Sequence, residues 1–535
     1  MLITGATDGI GLALADLLDR RGERLVIVGR RALETLSEEA RDLAKRHLYC
    51  RADLSRESAA DTVTEFLRTH EVGALDRLVL NAAGGFHGGI AEESPDALRA
   101  LVELNLASPI ALTHALSPLL TAAGGRVVFV SSVVSSLPSP SYAVYSATKA
   151  ALEGFARSLR TEVRGSFEVQ VVRPGATRSG LHRKMGIERS TIDWTRFPAA
   201  EVTARRLLRA IDGPARDRTL GAVNTLIHLA GRLAPGLIEH FMRRSGSSLG
   251  TTPPAPAHPG DPRKPRCVIT GAADGIGRAL AIALAREGCT IVGIDRDASR
   301  AARTQAEIEA VGGEASFLEA DLARASEIES VGEALAAGPP IDIVVHSAGI
   351  SAVGRFVSLP LAAQRAVLDI NFIAPLHLTT TLLRRNALSS APHLVSLASL
   401  SCFTSYPGAA VYAASKDGLA SWTRSLSAAL GSAARVLTIH PGPVRTRHAE
   451  RYSPTEGGAD RRMPPEAVAE AIAHALRRRR RGTRIPGATN RAVAILGRLA
   501  PGLMEGIMKR VILDRLDEGG ETSIRLDRAP PESQR

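Results

Sequence analysis

Two tyrosine–lysine pairs carry the clearest chemical signal in this sequence. Tyr145 lies four residues before Lys149, and Tyr412 and Lys416 repeat that spacing in the second half of the chain. On a helix this spacing places both side chains on one face. A lysine ammonium beside a tyrosine hydroxyl favours the phenolate, so it should lower a tyrosine pKa that is ordinarily about 10. We therefore expect each tyrosine to transfer the proton of an alcohol/carbonyl pair.

A serine and an asparagine precede each pair at matching distances. Ser132 and Ser399 follow apolar runs that are predicted to be strands, so each hydroxyl can bind the same substrate oxygen as the tyrosine. Asn105 and Asn371 lie in the preceding helical pattern, where each could hold a water molecule that links the lysine to solvent. A single Tyr-x-x-x-Lys is common by chance and would be explained by helix packing. The serines, the glycine motifs described next and the duplication of the whole set favour catalysis.

A glycine-rich motif opens each half, between a short apolar run and a helical pattern. Such a turn lets the backbone approach a ligand closely, and the N–H groups at the start of the helix bind a pyrophosphate. The predicted dinucleotide contacts are Gly5, Asp8, Gly9, Ile10 and Gly11 in the first half, and Gly271, Asp274, Gly275, Ile276 and Gly277 in the second.

The residues after the second strand differ between the halves. The first half has Gly29 followed by Arg30 and Arg31, whereas the second has Asp295 followed by Arg296. An acid at this position hydrogen-bonds the adenosine ribose and repels a 2′-phosphate, and arginine without a preceding acid accommodates that phosphate. We therefore expect the first half to bind NADP(H) and the second to bind NAD(H). The alternative for the arginines is a solvated turn, and the arginine beside the acid weakens the contrast in the second half.

Further cofactor contacts are predicted at the ends of the third, fourth and sixth strands. An aspartate after the third strand either meets the adenine amino group or caps the following helix, and the sequence favours neither. Small residues after the fourth strand let the backbone approach the cofactor. The candidates are Asp53, Leu54, Asn81, Ala82, Gly84, Pro174 and Gly175, and in the second half Asp321, Leu322, His346, Ala348, Gly349, Pro441 and Gly442.

The elements that must position these residues alternate regularly. Short apolar runs and helical patterns follow one another in both halves, which predicts parallel sheets covered on both faces. The expected fold class is α/β, with two doubly wound Rossmann domains in tandem, each with a C-terminal helical extension. The predicted domains are residues 1–244 and 267–516, joined by a Pro/Gly/Ser-rich linker at 245–266 and followed by a polar tail at 517–535.

The composition excludes several other classes. The 535 residues include 44% hydrophobic and 23% charged residues, as in globular proteins. The net charge of +12 comes from arginines interspersed with acids, and no nucleic-acid-binding motif accompanies it, so no nucleic-acid partner is expected. Four scattered cysteines predict neither disulfides nor a metal site and indicate a reducing cytoplasm. With no signal segment and no apolar run of about 18 residues, a cytoplasmic location without a spanning helix is expected.

Both halves resemble the short-chain dehydrogenase/reductase family. The resemblance rests on the glycine motif, the Asn81-Ala-Ala-Gly84 run, the asparagine, the serine with Tyr-x-x-x-Lys, and Pro174-Gly175; it covers the chain except the linker and both C-terminal segments. It implies NAD(P)-dependent alcohol/carbonyl chemistry on a small molecule, with the asparagine, serine, tyrosine and lysine of each half as the catalytic set. His346 departs from the family pattern and puts one cofactor-side hydrogen bond in doubt. Because the family commonly pairs subunits through the asparagine and tyrosine/lysine helices, we hypothesise that the halves form an internal pseudo-dimer.

Two regions have functions that the sequence does not determine. Substrate loops are expected at Phe86 and His87, at 181–197, at 350–356 and at 444–452, but they do not indicate the substrate. A second repeat, Gly-Arg-Leu-Ala-Pro-Gly-Leu, occurs at 231–237 and 497–503. It is predicted to cover the pocket; an oligomer surface and membrane contact are the less favoured alternatives.

The opposed cofactor preferences raise a more specific hypothesis. One half could oxidise an alcohol with NAD while the other reduces the ketone from its opposite face with NADPH, which gives net epimerisation. Two independent reductases are a simpler alternative. A scaffold that senses NAD(P) is a non-enzyme alternative, which the two complete catalytic sets disfavour.

Overall fold

The computed structural model describes residues 1–186, 193–245, 264–452 and 462–518. Each half contains a parallel seven-stranded sheet, in the order β3-β2-β1-β4-β5-β6-β7 and β10-β9-β8-β11-β12-β13-β14. Helices cover both faces of each sheet, so the predicted fold of two tandem Rossmann domains is confirmed. The linker at 246–263 and the tail from 519 lie outside the described residues, and their boundaries stay predictions.

The elements of the first half follow one another in the predicted alternation. They are β1 Leu2–Thr4, α1 Gly9–Asp19, β2 Val26–Gly29, α2 Glu38–Arg46, β3 Leu48–Arg51, α3 Ala59–Thr69, β4 Arg77–Leu80, α4 Pro95–Val102, α5 Ser108–Ala123, β5 Arg126–Val130, α6 Ala143–Glu162, β6 Glu168–Arg173, α7 Gly180–Lys184, α8 Ala200–Asp212, β7 Asp217–Thr219, α9 Ala222–Leu233 and α10 Pro235–Ser245.

The second half repeats this series. Its elements are β8 Arg266–Thr270, α11 Gly275–Arg286, β9 Thr290–Asp295, α12 Ala298–Ala310, β10 Glu314–Glu319, α13 Ala325–Ala336, β11 Ile341–His346, α14 Leu361–Leu368, α15 Ala374–Arg384, β12 Leu388–Leu397, α16 Ser401–Thr404, α17 Ala410–Leu430, β13 Arg435–Ile439, α18 Arg447–Tyr452, α19 Pro465–Arg477, β14 Gly482–Arg484, α20 Ala488–Leu499, α21 Pro501–Met508 and α22 Asp514–Glu518.

Strand β1 lies at the centre of the first sheet, between β2 and β4. The chain passes to opposite sides of β1 in its two crossovers, which leaves a crevice at the carboxyl ends of the strands, where doubly wound folds bind ligands. Strand β8 has the same position between β9 and β11. The candidate residues of each half all lie at or near this edge.

The two halves contact each other through α6 and α17, which pack antiparallel. The contacts are reciprocal: the Ser425 hydroxyl accepts from the Ser139 N–H at 3.0 Å, and the Ser158 hydroxyl accepts from the Tyr406 N–H at 3.0 Å. Gly418 permits the close approach, because a Cβ there would lie 3.0 Å from the Ala151 methyl. Such paired contacts define an approximate twofold axis between the halves.

Two helical segments are long and apolar enough to cross a membrane by length and composition alone, namely 95–123 and 361–384. In the structure 56% and 83% of their most apolar windows are buried inside the protein. Their apolar character is therefore explained by packing between the sheets and the α6/α17 pair.

Candidate active sites

The first catalytic set is assembled where β5 ends and α6 begins. Ser132 follows β5 and caps a single helical turn, where its Oγ accepts from the Val134 N–H at 3.4 Å. The Ser132 hydroxyl also hydrogen-bonds the Tyr145 side chain. Lys149 Nζ donates to the Val130 carbonyl at 3.0 Å and lies 5.8 Å from the centre of the Tyr145 ring. The spacing along the helix thus places tyrosine and lysine on one face, as predicted.

The second set has the same geometry. The Ser399 hydroxyl bonds the Tyr412 side chain. Lys416 Nζ donates to the Leu397 carbonyl at 3.0 Å and lies 5.7 Å from the centre of the Tyr412 ring. The two sites are therefore equivalent in the residues that would handle a proton.

The predicted lowering of the tyrosine pKa is not present in the chain by itself. Burial raises the pKa of Tyr145 to about 12, against the opposing hydrogen bond from Ser132. Burial also raises the pKa of Tyr412. The same burial lowers the pKa of Lys149 and of Lys416 to about 8. Desolvation disfavours the charged form of both groups, and the sequence spacing alone could not report its size.

Each asparagine side chain joins the loop after the fourth strand to the helix that carries the tyrosine and lysine. Asn105 lies in a wide helical turn at 103–107 between α4 and α5, and its side chain bonds both the N–H and the carbonyl of Gly84, at 2.9 and 3.0 Å. The same amide donates to the Thr148 hydroxyl of α6 at 3.1 Å. Asn371 makes the equivalent bonds to Ile350 and Ser415. The water molecule between asparagine and lysine remains a prediction.

A charged pair lies behind the catalytic lysine in the first half. The Glu153 carboxylate accepts from the Ser131 hydroxyl at 2.6 Å and from the Arg173 guanidinium at 2.8 and 2.9 Å. Arg173 is only 8% exposed and also bonds Asp217 at 3.2 Å. Glu153 opposes the fall in the Lys149 pKa that burial causes. The carboxylate thus helps to keep the lysine charged.

The second half has no such pair at the corresponding positions. Ala420 stands where the first half has Glu153, and His440 stands where it has Arg173. The His440 ring bonds the Ser399 carbonyl at 2.9 Å, and burial lowers its pKa to about 4. A neutral imidazole therefore bonds the backbone of Ser399, whereas the cation at the equivalent position of the first half bonds Glu153 and Asp217.

The glycine turns are shaped as predicted for a phosphate-binding loop. Gly5 and Gly9 have φ values of +68° and +56°, and Gly271 and Gly275 have +66° and +53°. A Cβ at Gly11 would lie 2.3 Å from the Gly5 carbonyl oxygen, so no larger residue fits there. The turn leads into α1 with backbone N–H groups at its start, which is the environment that a pyrophosphate prefers. These residues fit a dinucleotide.

The two glycine turns are held by different partners. Asp8 pairs with Lys184 Nζ of α7 at 2.5 Å, which ties the loop after β6 to the turn. Asp274 instead accepts from the Gly275 N–H at 2.7 Å and pairs with Arg300 at 3.0 Å. The loop after the sixth strand is therefore anchored to the glycine turn by an ion pair in the first half.

In both halves a charged residue at the end of the second strand bonds the backbone of the glycine turn. This residue is an arginine in the first half and an aspartate in the second. Arg31 donates to the Thr7 carbonyl at 2.8 Å. Asp295 accepts from the Ala273 N–H at 3.1 Å and from the Asp297 N–H at 3.2 Å. The predicted residues thus lie beside the dinucleotide loop, and each also has a structural function there.

Strand pairing identifies one further residue beside the predicted cofactor contacts in each half, which sequence reasoning missed. Gly29 pairs with Arg51 of β3, and Asp295 pairs with Glu319 of β10. Arg51 and Glu319 are both exposed. The first ribose edge is therefore basic and the second acidic at two adjacent strands. Aligning the third strands of the two halves would have revealed this difference.

The aspartates after the third strands form local turns. Asp53 accepts from the Ser55 N–H at 3.1 Å and from the Ser55 hydroxyl at 2.7 Å, which lowers its pKa. Asp321 accepts from the Ala323 N–H at 3.0 Å. Neither residue is the N-cap of the next helix, which is Ser58 or Arg324. A contact to adenine remains a prediction for both aspartates.

The placement of His346 requires a correction. Its ring is buried in the contact between β11 and α15, where Nε2 lies 2.8 Å from the Thr379 hydroxyl, and burial lowers its pKa to about 4. Ser347, not His346, corresponds to Asn81, because both of their N–H groups donate to the threonine that ends the first strand. The alignment from motif letters was displaced by one residue. His346 therefore has a core function and does not face the cofactor edge.

The C-terminal extensions cover the ends of the sixth strands. A Cβ at Gly175 would lie 2.3 Å from the Asn224 side chain of α9, and a Cβ at Gly442 would lie 2.3 Å from Asn490 of α20. These glycines are thus required for close packing of the extension. The backbone carbonyls of Pro174 and Pro441 accept from the turns that follow the catalytic serines.

The substrate sides of the two sites differ in their aromatic residues. Near Tyr412, ring centres lie 5.9 Å away at Tyr406 and 6.1 Å away at His448. In the first half, the rings of His87 and Tyr142 are 4.9 Å apart. Part of the predicted loop at 181–197, residues 187–192, lies outside the described residues. The aromatic residues beside the two tyrosines therefore differ between the halves.

Each half thus combines the fold of a dinucleotide-binding domain with a serine, a tyrosine and a lysine that lie together. The family model for short chain dehydrogenase matches residues 1–189 and 266–457. The chain belongs to the short-chain dehydrogenase family, in two consecutive copies, which confirms the resemblance.

Each of these curated relatives matches less than half of the chain. Dehydrogenase/reductase SDR family member 7B of Bos taurus is 31% identical over 265 residues, which is 45% of this chain and 79% of that protein. Ketoacyl reductase HetN of Nostoc is 31% identical over 216 residues, or 39% of this chain and 74% of that protein.

Solved structures match in the same way. A short-chain dehydrogenase from Sphingobium yanoikuyae in complex with NADPH is 25% identical and has a TM-score of 0.40; the match covers 46% of this chain and 95% of that one. A short chain dehydrogenase/reductase from Burkholderia phymatum in complex with NAD is 24% identical with a TM-score of 0.40, over 45% and 95% of the two chains.

Proposed function

We propose that each half interconverts a secondary alcohol and a carbonyl compound with a nicotinamide cofactor. The observation that carries the proposal is the presence of the same serine, tyrosine and lysine arrangement beside a glycine turn in both halves. The relatives' names support this reaction class, since they include a ketoacyl reductase and several dehydrogenases. The substrate is a small molecule that enters at the carboxyl ends of the strands.

The residues of each half have separate functions in this proposal. The bound nicotinamide accepts or donates the hydride. In the reductive direction the tyrosine hydroxyl gives its proton to the carbonyl oxygen, and in the oxidative direction the tyrosine removes the hydroxyl proton. The serine hydroxyl orients the same oxygen, and the lysine ammonium stabilises the phenolate form of the tyrosine.

We further propose that the first half uses NADP(H) and the second NAD(H). Arg30, Arg31 and Arg51 surround the first ribose edge, and arginine is suited to a phosphate. Asp295 and Glu319 lie at the second edge, where a 2′-phosphate would be repelled. The Sphingobium and Burkholderia structures hold NADPH and NAD respectively, so both cofactors occur among the solved structures of this family.

Single tyrosine substitutions in the full chain test the proposal. With initial rates measured over a panel of ketones and alcohols, Tyr145→Phe should reduce NADPH-linked turnover by roughly 10²- to 10⁴-fold and leave NADH-linked turnover intact. Tyr412→Phe should have the reverse effect. Tyr142→Phe and Tyr406→Phe remove the hydroxyl of a neighbouring tyrosine on the substrate side, and each should reduce turnover far less than the change at Tyr145 or Tyr412 of the same half. Full turnover with both cofactors in both catalytic variants would contradict the proposal.

The opposite charges at the two ribose edges also support a coupled reaction. We propose as a second candidate that the NAD site oxidises an alcohol and the NADP site reduces the resulting ketone from the other face, so that the alcohol is epimerised. Chiral chromatography with NAD⁺ and NADPH supplied together should show inversion by the wild type and none by either tyrosine variant. If each single variant retains full conversion, the coupled scheme is wrong. Tight cofactor binding without turnover of any panel compound would instead favour an NAD(P)-sensing scaffold.

A further inference from the structure

The C-terminal extensions expose large apolar side chains in both halves. We define the two hairpins as residues 222–242 and 488–510. Equivalent leucines are exposed in each: Leu233 by 53% and Leu237 by 69% in the first hairpin, and Leu499 by 71% and Leu503 by 58% in the second. Further exposed apolar residues of the hairpins are Val223, Leu226, Ile227, Leu229, Phe241, Ile495, Leu496 and Ile507. An apolar face of this size on a protein surface indicates a contact partner.

The charges of the hairpins are sorted between two sides. Each hairpin has one carboxylate, and it is directed toward the other half: Glu239 accepts from the Ser427 hydroxyl at 2.6 Å, and Glu505 lies 3.7 Å from the Arg160 guanidinium. Arg232 is exposed in part, but burial and the charges of Arg157 and Arg173 lower its pKa, so its guanidinium lies toward the interior. The other exposed charged residues are the cations Arg491 and Arg510 of the second hairpin. The exposed surface is therefore apolar, with a positive rim at the second hairpin.

The two hairpins occupy equivalent positions about the approximate twofold axis. Glu239 contacts Ser427 of α17 and Glu505 lies near Arg160 of α6, so each hairpin packs on the helix pair at that axis. Elements related by a twofold axis lie at the same height along it, so the parts of their faces that are turned along the axis lie on one side of the molecule. Those parts of the two exposed faces form one composite surface.

This surface adjoins both active sites. A Cβ at Gly231 would lie 2.7 Å from the Ser136 carbonyl, in the turn that begins at the catalytic Ser132. A Cβ at Gly497 would lie 2.0 Å from the Phe403 carbonyl, in α16 directly after Ser399. The inner sides of the hairpins are therefore occupied by packing, and only the outer sides are available to a partner.

We propose that the two hairpins together dock the protein on an anionic lipid bilayer. The leucines enter the boundary between headgroups and acyl chains, and the arginines bind the negatively charged headgroups. A second copy of the chain fits less well. It would bring two positive rims together, and neither hairpin has an outward carboxylate to pair with them. The membrane contact that the sequence pattern did not favour is thus the function that the exposed faces support best.

Vesicle flotation of the full chain tests this proposal. The wild type should float with vesicles of phosphatidylcholine mixed with phosphatidylglycerol, and more weakly with phosphatidylcholine alone. The variant Leu233→Gln/Leu237→Gln/Leu499→Gln/Leu503→Gln should reduce the bound-to-free ratio by about tenfold or more, since four exposed leucines lose their transfer to the membrane. Val311→Gln/Val357→Gln is the matched control, because those valines are 38% and 44% exposed elsewhere.

A second variant separates the contribution of the arginines to membrane binding from that of the inserted leucines. Arg491→Glu/Arg510→Glu should remove the preference for phosphatidylglycerol and retain the weak binding to phosphatidylcholine. The proposal is overturned if the wild type floats with neither vesicle, or if the leucine variant, with an unchanged thermal midpoint, floats as the wild type does. It is also overturned if the wild type has twice the chain mass without lipid and the leucine variant has the single-chain mass, because a second copy would then cover this surface.

Discussion

The two halves share a catalytic set and differ in what surrounds it. Behind Lys149 lies the Glu153–Arg173 ion pair, whereas behind Lys416 lie Ala420 and the neutral His440. At the ribose edge the first half presents arginines and the second presents acids. The serine, tyrosine and lysine are thus the same in both halves, while the residues behind the lysine and at the end of the second strand differ. The halves serve as internal controls for each other.

Removing the buried ion pair of the first half should have the largest effect on stability. Glu153→Ala leaves Arg173 buried with only Asp217 as an acidic partner, so the free energy of unfolding should fall by about 3–5 kcal/mol in denaturant titrations. The Lys149 pKa should also fall, because Glu153 raises it. The pH profile of NADPH-linked turnover should then shift while that of NADH-linked turnover does not.

The second half supplies the control for this change. Glu153→Ala/Arg173→His reproduces Ala420 and His440, and it should recover most of the lost stability because no buried charge is left unpaired. Glu168→Ala removes a surface partner of Arg126 and should cost less than about 1 kcal/mol. A small loss in Glu153→Ala, equal to that of the surface control, would show that the ion pair has no structural function.

The contact between the halves is not symmetric, because Glu162 of the first half has no equivalent carboxylate in the second. This carboxylate is 7% exposed and accepts from the N–H groups of Phe356 and Gly408, at 2.8 and 2.7 Å, whereas the equivalent position in α17 is Ala429. Burial raises the Glu162 pKa to about 7, against these hydrogen bonds and the charge of Arg355. The first half thus bonds two backbone N–H groups of the second half with a carboxylate that the reverse contact lacks.

The raised pKa makes this contact dependent on pH. The folded chain holds the Glu162 proton more tightly than the unfolded chain, so the associated stability is present below pH about 4.5 and is lost as the pH rises to about 7. In urea titrations over this range, the wild type should lose about 3 kcal/mol relative to Glu162→Gln. The exposed Glu34→Gln should follow the wild type. Parallel curves for the wild type and Glu162→Gln would refute the raised pKa.

The predicted difference in cofactor preference can be tested by substitutions in the second half. Asp295→Gly/Glu319→Arg makes its ribose edge resemble the first, and the affinity for NADPH should rise by about 10- to 100-fold, or roughly 1.4–2.7 kcal/mol, with a loss for NADH. Initial rates of the full chain with Tyr145→Phe as background report the second site alone, and the KM values for NADPH and NADH compare the two affinities. An unchanged ratio of the two affinities would mean that these side chains do not select the cofactor.

Converting the first half to an NAD site should require more than one substitution. A Cβ at Gly29 would lie 2.7 Å from the Thr7 methyl and 2.9 Å from the Tyr49 hydroxyl, so Gly29→Asp alone should strain the edge without creating an NAD site. Adding Thr7→Ala and Tyr49→Phe copies Ala273 and Phe317 and should permit the switch. A complete switch by Gly29→Asp alone would contradict this account of the edge.

Much of each site could be predicted from the sequence because it depends on residues that are close to one another along the chain. A spacing of four residues places Tyr145 and Lys149 on one helical face whatever surrounds the helix. Gly5 and Gly9 need left-handed backbone angles that glycine adopts freely, so they mark the turn. The effect of burial, which raises the tyrosine pKa, could not be predicted, because desolvation depends on the whole environment of the side chain.

The sequence by itself determined the duplication, the alternation of strands and helices, the glycine turns and the two catalytic sets. Only the tertiary structure decided that His346 enters the core in place of Ser347, that Arg51 and Glu319 join the ribose edges, and that Glu162 reaches into the other half. Each of these depends on pairing between segments that are distant along the chain. Turn and helix geometry act over a few residues, whereas strand register and helix packing are determined only when the whole core is assembled.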